Sequence, residues 1–187
     1  MSDTKTGGSR KTLILLVVVF VLPVILAKLA LDNDFFNRGA TNRGELLQPT
    51  LNAQSLFGEL PKKWRVVYVV PTTCDQTCQN AIYSIQQVDL ALGKESDRAN
   101  ATLVITPESA NVEEWIAKDN RTEVLNTKQE NVNKVFNSAH RNGIFLVDTM
   151  NNAMLRYNPH ADQQQAIMQS RDVLSDLKKM LKLSRIG

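Results

Sequence analysis

Residues Leu13–Leu31 read LILLVVVFVLPVILAKLAL, an apolar run interrupted by Pro23 and, near its far end, by Lys28. No other feature limits the chain so sharply. In hydrocarbon every backbone N–H and C=O must find its partner within the protein, and a single segment achieves that as a helix. At this length the helix rises about 28 Å, enough for the core of a bilayer. Pro23 fits as a kink, and Lys28 can carry its charge to the interface. The leading flank holds Lys5, Arg10 and Lys11 against Asp3, and the trailing flank holds Asp32 and Asp34. Basic flanks stay in the cytoplasm, which puts residues 1–12 inside, 13–31 in the membrane and 32–187 outside. A cleaved signal peptide is the competing reading. Cleavage after Ala27 would need a small residue at Ile25, and cleavage after Ala30 would need one at Lys28, so an uncleaved anchor is expected.

The exposed part mixes both signs of charge, and the formal net charge of the whole chain is only +3. It has no basic run interleaved with aromatic residues, which argues against nucleic acid as a partner. Residues 32–59 lack a sustained period and are punctuated by Gly39, Gly44, Pro49 and Gly58. They read as a tether with one short strand near Leu46–Gln48. Order begins at Leu60, and residues 60–187 suffice for one compact core.

Val66–Val70 is continuous in apolar residues, as a strand covered on both faces should be. Cys78–Leu92 carries Ala81, Ile85, Val88 and Leu92 at helical spacing and stops at Gly93. Thr102–Thr106 predicts a second strand, with short helices at Val112–Lys118 and Gln129–Phe136. Ile144–Val147 predicts a third strand, paired as a hairpin with Met154–Tyr157, and Gln164–Lys182 a closing helix. The order is β-α-β-(αα)-β-β-α. Its first connection requires parallel strands and a right-handed crossover, its hairpin is antiparallel, and helices can cover both faces. This α/β order, a mixed sheet flanked by helices and preceded by one transmembrane helix, resembles the thioredoxin plan.

The chain has two cysteines, Cys74 and Cys78, placed between the first strand and its helix. Sulfur at such a turn faces the positive end of a helix, where a thiolate is favoured as nucleophile and as soft-metal ligand. Spacing of four residues brings both sulfurs to one side of the first turns. They can close as a disulfide or hold one ion. As a stability device the bridge is poor, because the loop it closes is tiny. Asp75 between them reads as helix-start chemistry. Zinc would want a fourth ligand, and the histidine besides His140 is His160, next to Pro159 in an expected loop. Met150 and Met154 read as packing residues, and Trp115 as part of the core or a groove.

Trp64…Tyr68, Thr72-Thr73-Cys74-Asp-Gln-Thr-Cys78 and His140-Arg-Asn-Gly-Ile144-Phe-Leu-Val147-Asp148 resemble the Sco family. Its members are membrane-anchored, thioredoxin-fold copper proteins that help assemble the binuclear copper centre of cytochrome c oxidase. The resemblance implies one copper per domain, as Cu(I) or Cu(II), on Cys74, Cys78 and His140. It also implies a membrane-bound partner, the oxidase copper-binding subunit or its assembly factors. Asn42-Arg-Gly-Glu-Leu-Leu-Gln-Pro49 and Val88-Asp-Leu-Ala-Leu-Gly-Lys94 look like a divergent group of short proteobacterial membrane proteins associated with the oxidase. That kinship implies an inner-membrane protein with its domain in the periplasm. The family usually writes C-P-x-x-C-P, where this chain has Asp75 and Gln79 in place of the prolines. No proline precedes Ile144, which argues mildly against a broad thiol–disulfide exchange enzyme. Three functions stay open: a copper-binding assembly factor, a dithiol reductant with Cys74 and Cys78 as its redox pair, and an accessory subunit with a static bridge.

Overall fold

The computed structural model describes residues 7–32, 42–117, 120–137 and 142–184, in two units that meet between Thr41 and Asn42 along the chain. The first unit is one helix, α1 (Gly7–Asp32), with Pro23 inside it. Its Arg10–Ala30 stretch is long and apolar enough to cross a bilayer. That agrees with the expected span.

The second unit is an α/β domain. Its strands are β1 (Glu45–Asn52), β2 (Trp64–Val69), β3 (Ala99–Ile105), β4 (Glu123–Asn126), β5 (Ile144–Val147) and β6 (Asn152–Tyr157). Its helices are α2 (Gln54–Phe57), α3 (Gln76–Leu92), α4 (Glu113–Ile116), α5 (Gln129–Val135) and α6 (Gln163–Leu183). They build one sheet in the order β1-β6-β5-β2-β3-β4. β2 and β3 are parallel, β3 and β4 are parallel, and β5 lies antiparallel to both β2 and β6. This is the expected mixed, thioredoxin-like sheet, with β2 inside it.

β2 shows why a continuous apolar run makes a central strand. Trp64, Val66 and Tyr68 point to one core with α3 and α6, while Val67 and Val69 point to a second core with α2 and α5. Side chains alternate across a strand, so a strand buried on both faces must be apolar at every step. Arg65 breaks that rule and is fully buried. Its guanidinium donates to the carbonyls of Pro61 and Lys63, faces Glu123 of β4 and lies 5.6 Å from the Phe57 ring centroid. Its charge is thus paired and its donors used, as burial demands.

The short strand expected near Leu46–Gln48 is present and runs further, as β1, and α2 follows it within residues 32–59. Leu47, Ala53, Leu56 and Phe57 are buried in the second core, and β1 pairs with β6 along the sheet edge. Pro49 and the register shift between Leu46 and Leu51 blur the period over the rest of β1. β4 is absent from the expected order: it is a four-residue edge strand with two apolar residues, too short to show a period.

A buried carboxylate fastens the start of this unit. Asp176 on α6 is fully buried and accepts from the backbone N–H of Arg43 at 2.7 Å, the N–H of Gly44 at 3.0 Å and the Tyr157 hydroxyl at 3.0 Å. Lys179 donates to its other oxygen. Gly44 passes so close to Tyr157 that a Cβ there would lie 2.5 Å from the ring. Burial, followed by the charge of Asp176, pushes the Tyr157 phenol up from its ordinary value, so it stays a donor.

Candidate functional site: the disulfide turn

β2 ends at Val69, and the chain turns through Pro71 and Thr72 before α3 begins at Gln76. The turn is held on both sides. Ser109 Oγ donates to the Val70 carbonyl at 2.8 Å, and the Ala110 N–H donates to the Pro71 carbonyl at 2.8 Å. Asp75 is the N-cap of α3, and its Oδ1 accepts from the Cys78 N–H at 3.0 Å. This is the helix-start role expected for it. Asn80, one turn further on, donates to the carbonyls of His160 and Ala161 and ties the start of α3 to the loop after β6.

Cys74 and Cys78 are joined as a disulfide, with Cα atoms 5.0 Å apart. The two sulfurs differ in surroundings. Cys78 is 1 % exposed and belongs to the core under α3, whereas Cys74 is half-buried at its margin. An attacking group therefore meets Cys74 first, and Cys78 is the sulfur held behind it.

Beside the disulfide lies an open cleft of about 450 Å³, whose lining includes Tyr68, Thr73, Asp75, Cys78, Asn142 and Asn158. Arg156 shapes its rim. One guanidinium nitrogen donates to the Asn142 carbonyl at 2.7 Å and another pairs with Glu45 at 3.1 Å. The Tyr68 side chain enters this cleft from β2 and is 5 % exposed. Burial, with a smaller contribution from the negative charge of Asp75, pushes its phenol up to about 12. Tyr68 is a neutral hydroxyl at any ordinary pH.

The other sequence-derived candidates separate. His140 lies outside the described residues. His160 lines a different cleft, with Arg43, Arg156 and Asp172 among its neighbours. Met150 is 73 % exposed in the turn between β5 and β6. Because Arg65 pairs with Val147 and Tyr68 with Ile144, that turn sits at the end of the sheet opposite the cysteines. Met154 and Trp115 pack against the first core. Among the described residues, no group of three or more His, Cys, Asp or Glu is arranged to hold a metal ion. The two sulfurs are thus the soft donors that the described part of the site offers.

Sequence reading missed Tyr68, Asn142, Asn158 and Arg156 as site residues. Tyr68 had a signal: it shares the Trp64–Val66 face of β2, which is also the face that α3 covers. The other three reach the cleft through the pairing of β5 and β6, which no local pattern announces.

Residues 64–184 match the family described as transmembrane-like, thioredoxin-like, C-terminal domain. Comparison with curated proteins finds no match. Among solved structures, the apo Sco1 protein of Thermus thermophilus is similar at 16% identity with a TM-score of 0.52, covering 75% of this chain and 97% of that one. Copper-bound ScoI of Bradyrhizobium japonicum is similar at 18% identity and a TM-score of 0.44, with 68% and 97% covered. BsSco is described as a Sco-family cytochrome c oxidase assembly protein with a disulfide switch. It is similar at 15% identity and a TM-score of 0.49, with 77% and 96% covered.

Proposed function

The chain belongs to the family of transmembrane-like, thioredoxin-like C-terminal domains, and from that premise we propose that it is a membrane-anchored dithiol protein serving assembly of the copper centre of cytochrome c oxidase. In this reading α1 holds it in the bacterial inner membrane, with the N-terminus in the cytoplasm and the domain in the periplasm. What carries the reading is the asymmetry of the cysteine pair, Cys74 half-buried at the margin of the core and Cys78 buried within it. The sequence resemblance at Trp64…Tyr68 and Cys74…Cys78 supports the oxidase context.

The chemistry is an exchange of two electrons and two protons. In the reduced protein the Cys74 thiolate attacks one sulfur of a disulfide in the oxidase copper-binding subunit, whose other sulfur leaves as a thiolate. The Cys78 thiolate then attacks Cys74, releases the partner's second sulfur and closes the Cys74–Cys78 bond. The partner gains the reduced cysteines that a copper ion needs, and this protein ends as the disulfide. The test is a Cys78→Ser variant in native membranes, which should accumulate a mixed disulfide between Cys74 and the copper-binding subunit. Free Cys74 with the subunit present and oxidised would refute the reading. A reporter fused to the C-terminus should be active only outside the cytoplasm.

A second reading is favoured by the closeness of the two sulfurs. Once reduced they are two soft donors in one helical turn, a set that suits Cu(I) as cargo, with His140 as the proposed third ligand for Cu(II). Titration of the reduced protein should then give one Cu(I) per domain that survives His140→Ala, while Cu(II) binding is lost. Absence of Cu(I) binding by the reduced protein would leave the exchange reading alone.

A further inference from the structure

The exchange described above leaves a charge where the protein is poorly able to accept one. When a partner sulfur is bonded to Cys74, the electron pair of the broken Cys74–Cys78 bond resides on Cys78 as a thiolate. Cys78 is 1 % exposed and packed among the apolar residues beneath α3. An ionised sulfur there is costly unless a donor meets it. Its own backbone N–H is already given to Asp75, whose carboxylate is negative and close by.

One side chain is suited to the task. Tyr68 belongs to the same core cluster as Cys78, and both line the same cleft. It is nineteen-twentieths buried, yet its hydroxyl makes no hydrogen bond with any described residue. Its ring is packed in the core, and its hydroxyl, without a protein partner, is left to the cleft that Cys78 also lines, where it is free to serve as a donor. In the disulfide neither sulfur needs a donor. The need arises only when the bond opens and Cys78 is free to turn about its Cα–Cβ bond.

We propose that Tyr68 is a catalytic hydrogen-bond donor to the Cys78 thiolate, stabilising it in the mixed-disulfide stage of exchange. The assignment rests on the thiol-exchange reading of the cysteine pair. When an incoming thiolate attacks Cys74, the S–S bond breaks, its electrons pass to Cys78, and the Tyr68 O–H turns to that sulfur. In the closing direction the Cys78 thiolate leaves this hydrogen bond, attacks Cys74 and expels the partner thiolate. Tyr68 keeps its proton throughout, because burial and the charge of Asp75 hold the phenol neutral. In the opening direction the bond forms only as charge develops on Cys78 and accelerates the step, and in the closing direction it keeps Cys78 as the attacking thiolate.

The test uses the full-length reduced protein in detergent and dithiobis(nitrobenzoate) as the disulfide. Cys74 releases the first thionitrobenzoate in a bimolecular phase, and Cys78 releases the second in an intramolecular phase. Tyr68→Phe removes one oxygen from a buried ring. Below the Cys78 pKa it should slow the second phase about three- to fourfold, because about tenfold fewer Cys78 sulfurs are thiolates while those that remain attack about threefold faster, and leave the first phase within about twofold. In a Cys74→Ser background the ultraviolet thiolate absorption of Cys78 should fall on the same substitution. Tyr83→Phe, the same change at an exposed position of α3 outside this cleft, should leave both phases alone. A second phase unaffected by Tyr68→Phe, or slowed equally by Tyr83→Phe, would overturn the assignment while leaving the exchange reading intact. If Tyr68→Phe slows both phases alike, general damage to the fold is the cause and the assignment is overturned. No first phase at all from the reduced protein would overturn both.

Discussion

Replacing Asp176 with alanine tests the reading of the domain's start most directly. The carboxylate is fully buried and receives three donors on one oxygen: the N–H groups of Arg43 and Gly44 and the Tyr157 hydroxyl. The fourth donor, Lys179, is 42% exposed in its side chain and recovers water when the carboxylate goes. It contributes little. The Tyr157 hydroxyl is buried with the carboxylate, and losing its acceptor costs about 1–3 kcal/mol. The two backbone donors add to this, reduced by whatever water reaches them as the first residues of the unit loosen. A total near 3 kcal/mol follows, at the lower end of what breaking a buried charged pair costs. Asp176→Asn keeps an oxygen acceptor and should lose roughly half as much. Urea unfolding of the full-length protein in detergent reads both values. A double-mutant cycle with Tyr157→Phe should show a coupling of about 1 kcal/mol or more. If Asp176→Ala costs less than about 1 kcal/mol, the carboxylate is not the fastening point and the reasoning fails.

Three further outcomes are expected. Tyr68 has its phenol raised from 10.0 to about 12 in the fold. Folding therefore favours the protonated form, its contribution to stability is complete below pH 10, and it is lost between pH 10 and 12. Unfolding curves across that window should flatten in Tyr68→Phe, and an unchanged slope would contradict the burial of the hydroxyl. Asp75→Ala removes the acceptor for the Cys78 N–H and should cost about 1 kcal/mol, read from the unfolding midpoint of the oxidised protein. Gly44→Ala drives a Cβ into the Tyr157 ring and should cost about 1–3 kcal/mol, while Gly93→Ala, with open space at its Cβ but a φ of 59°, should cost about 1 kcal/mol.

What the sequence made legible follows from what was locally encoded. Val66–Val70 announced a doubly covered strand because each residue meets a core on one face or the other, and Ile144–Val147 did so for the same reason. The long helices α3 and α6 showed their buried stripes through Ile85 and Val88, and through Leu177 and Leu181. β4 was hidden, and β1 was legible only near Leu46–Gln48, because an edge strand buries few side chains, and β1 turns mainly Leu47 inward. The cysteine turn was legible from spacing and from Asp75. The cleft beside it was not, since Asn142 and Arg156 are brought there by the register of β5 against β6. Register is a property of two strands, and neither strand states it alone.

The fastening at Asp176 also has a mechanical meaning. Among the described residues of the domain the polypeptide begins at Asn42, and Arg43 and Gly44 are at once held by a carboxylate on α6, the last helix of the fold. A pull transmitted along that polypeptide loads the contact between the two ends of the domain before it loads the β1–β6 pairing. Peeling β1 from the sheet edge would require that this contact yield first. Tension applied from the N-terminal side of the domain can therefore be borne without working loose the sheet that holds the cysteines.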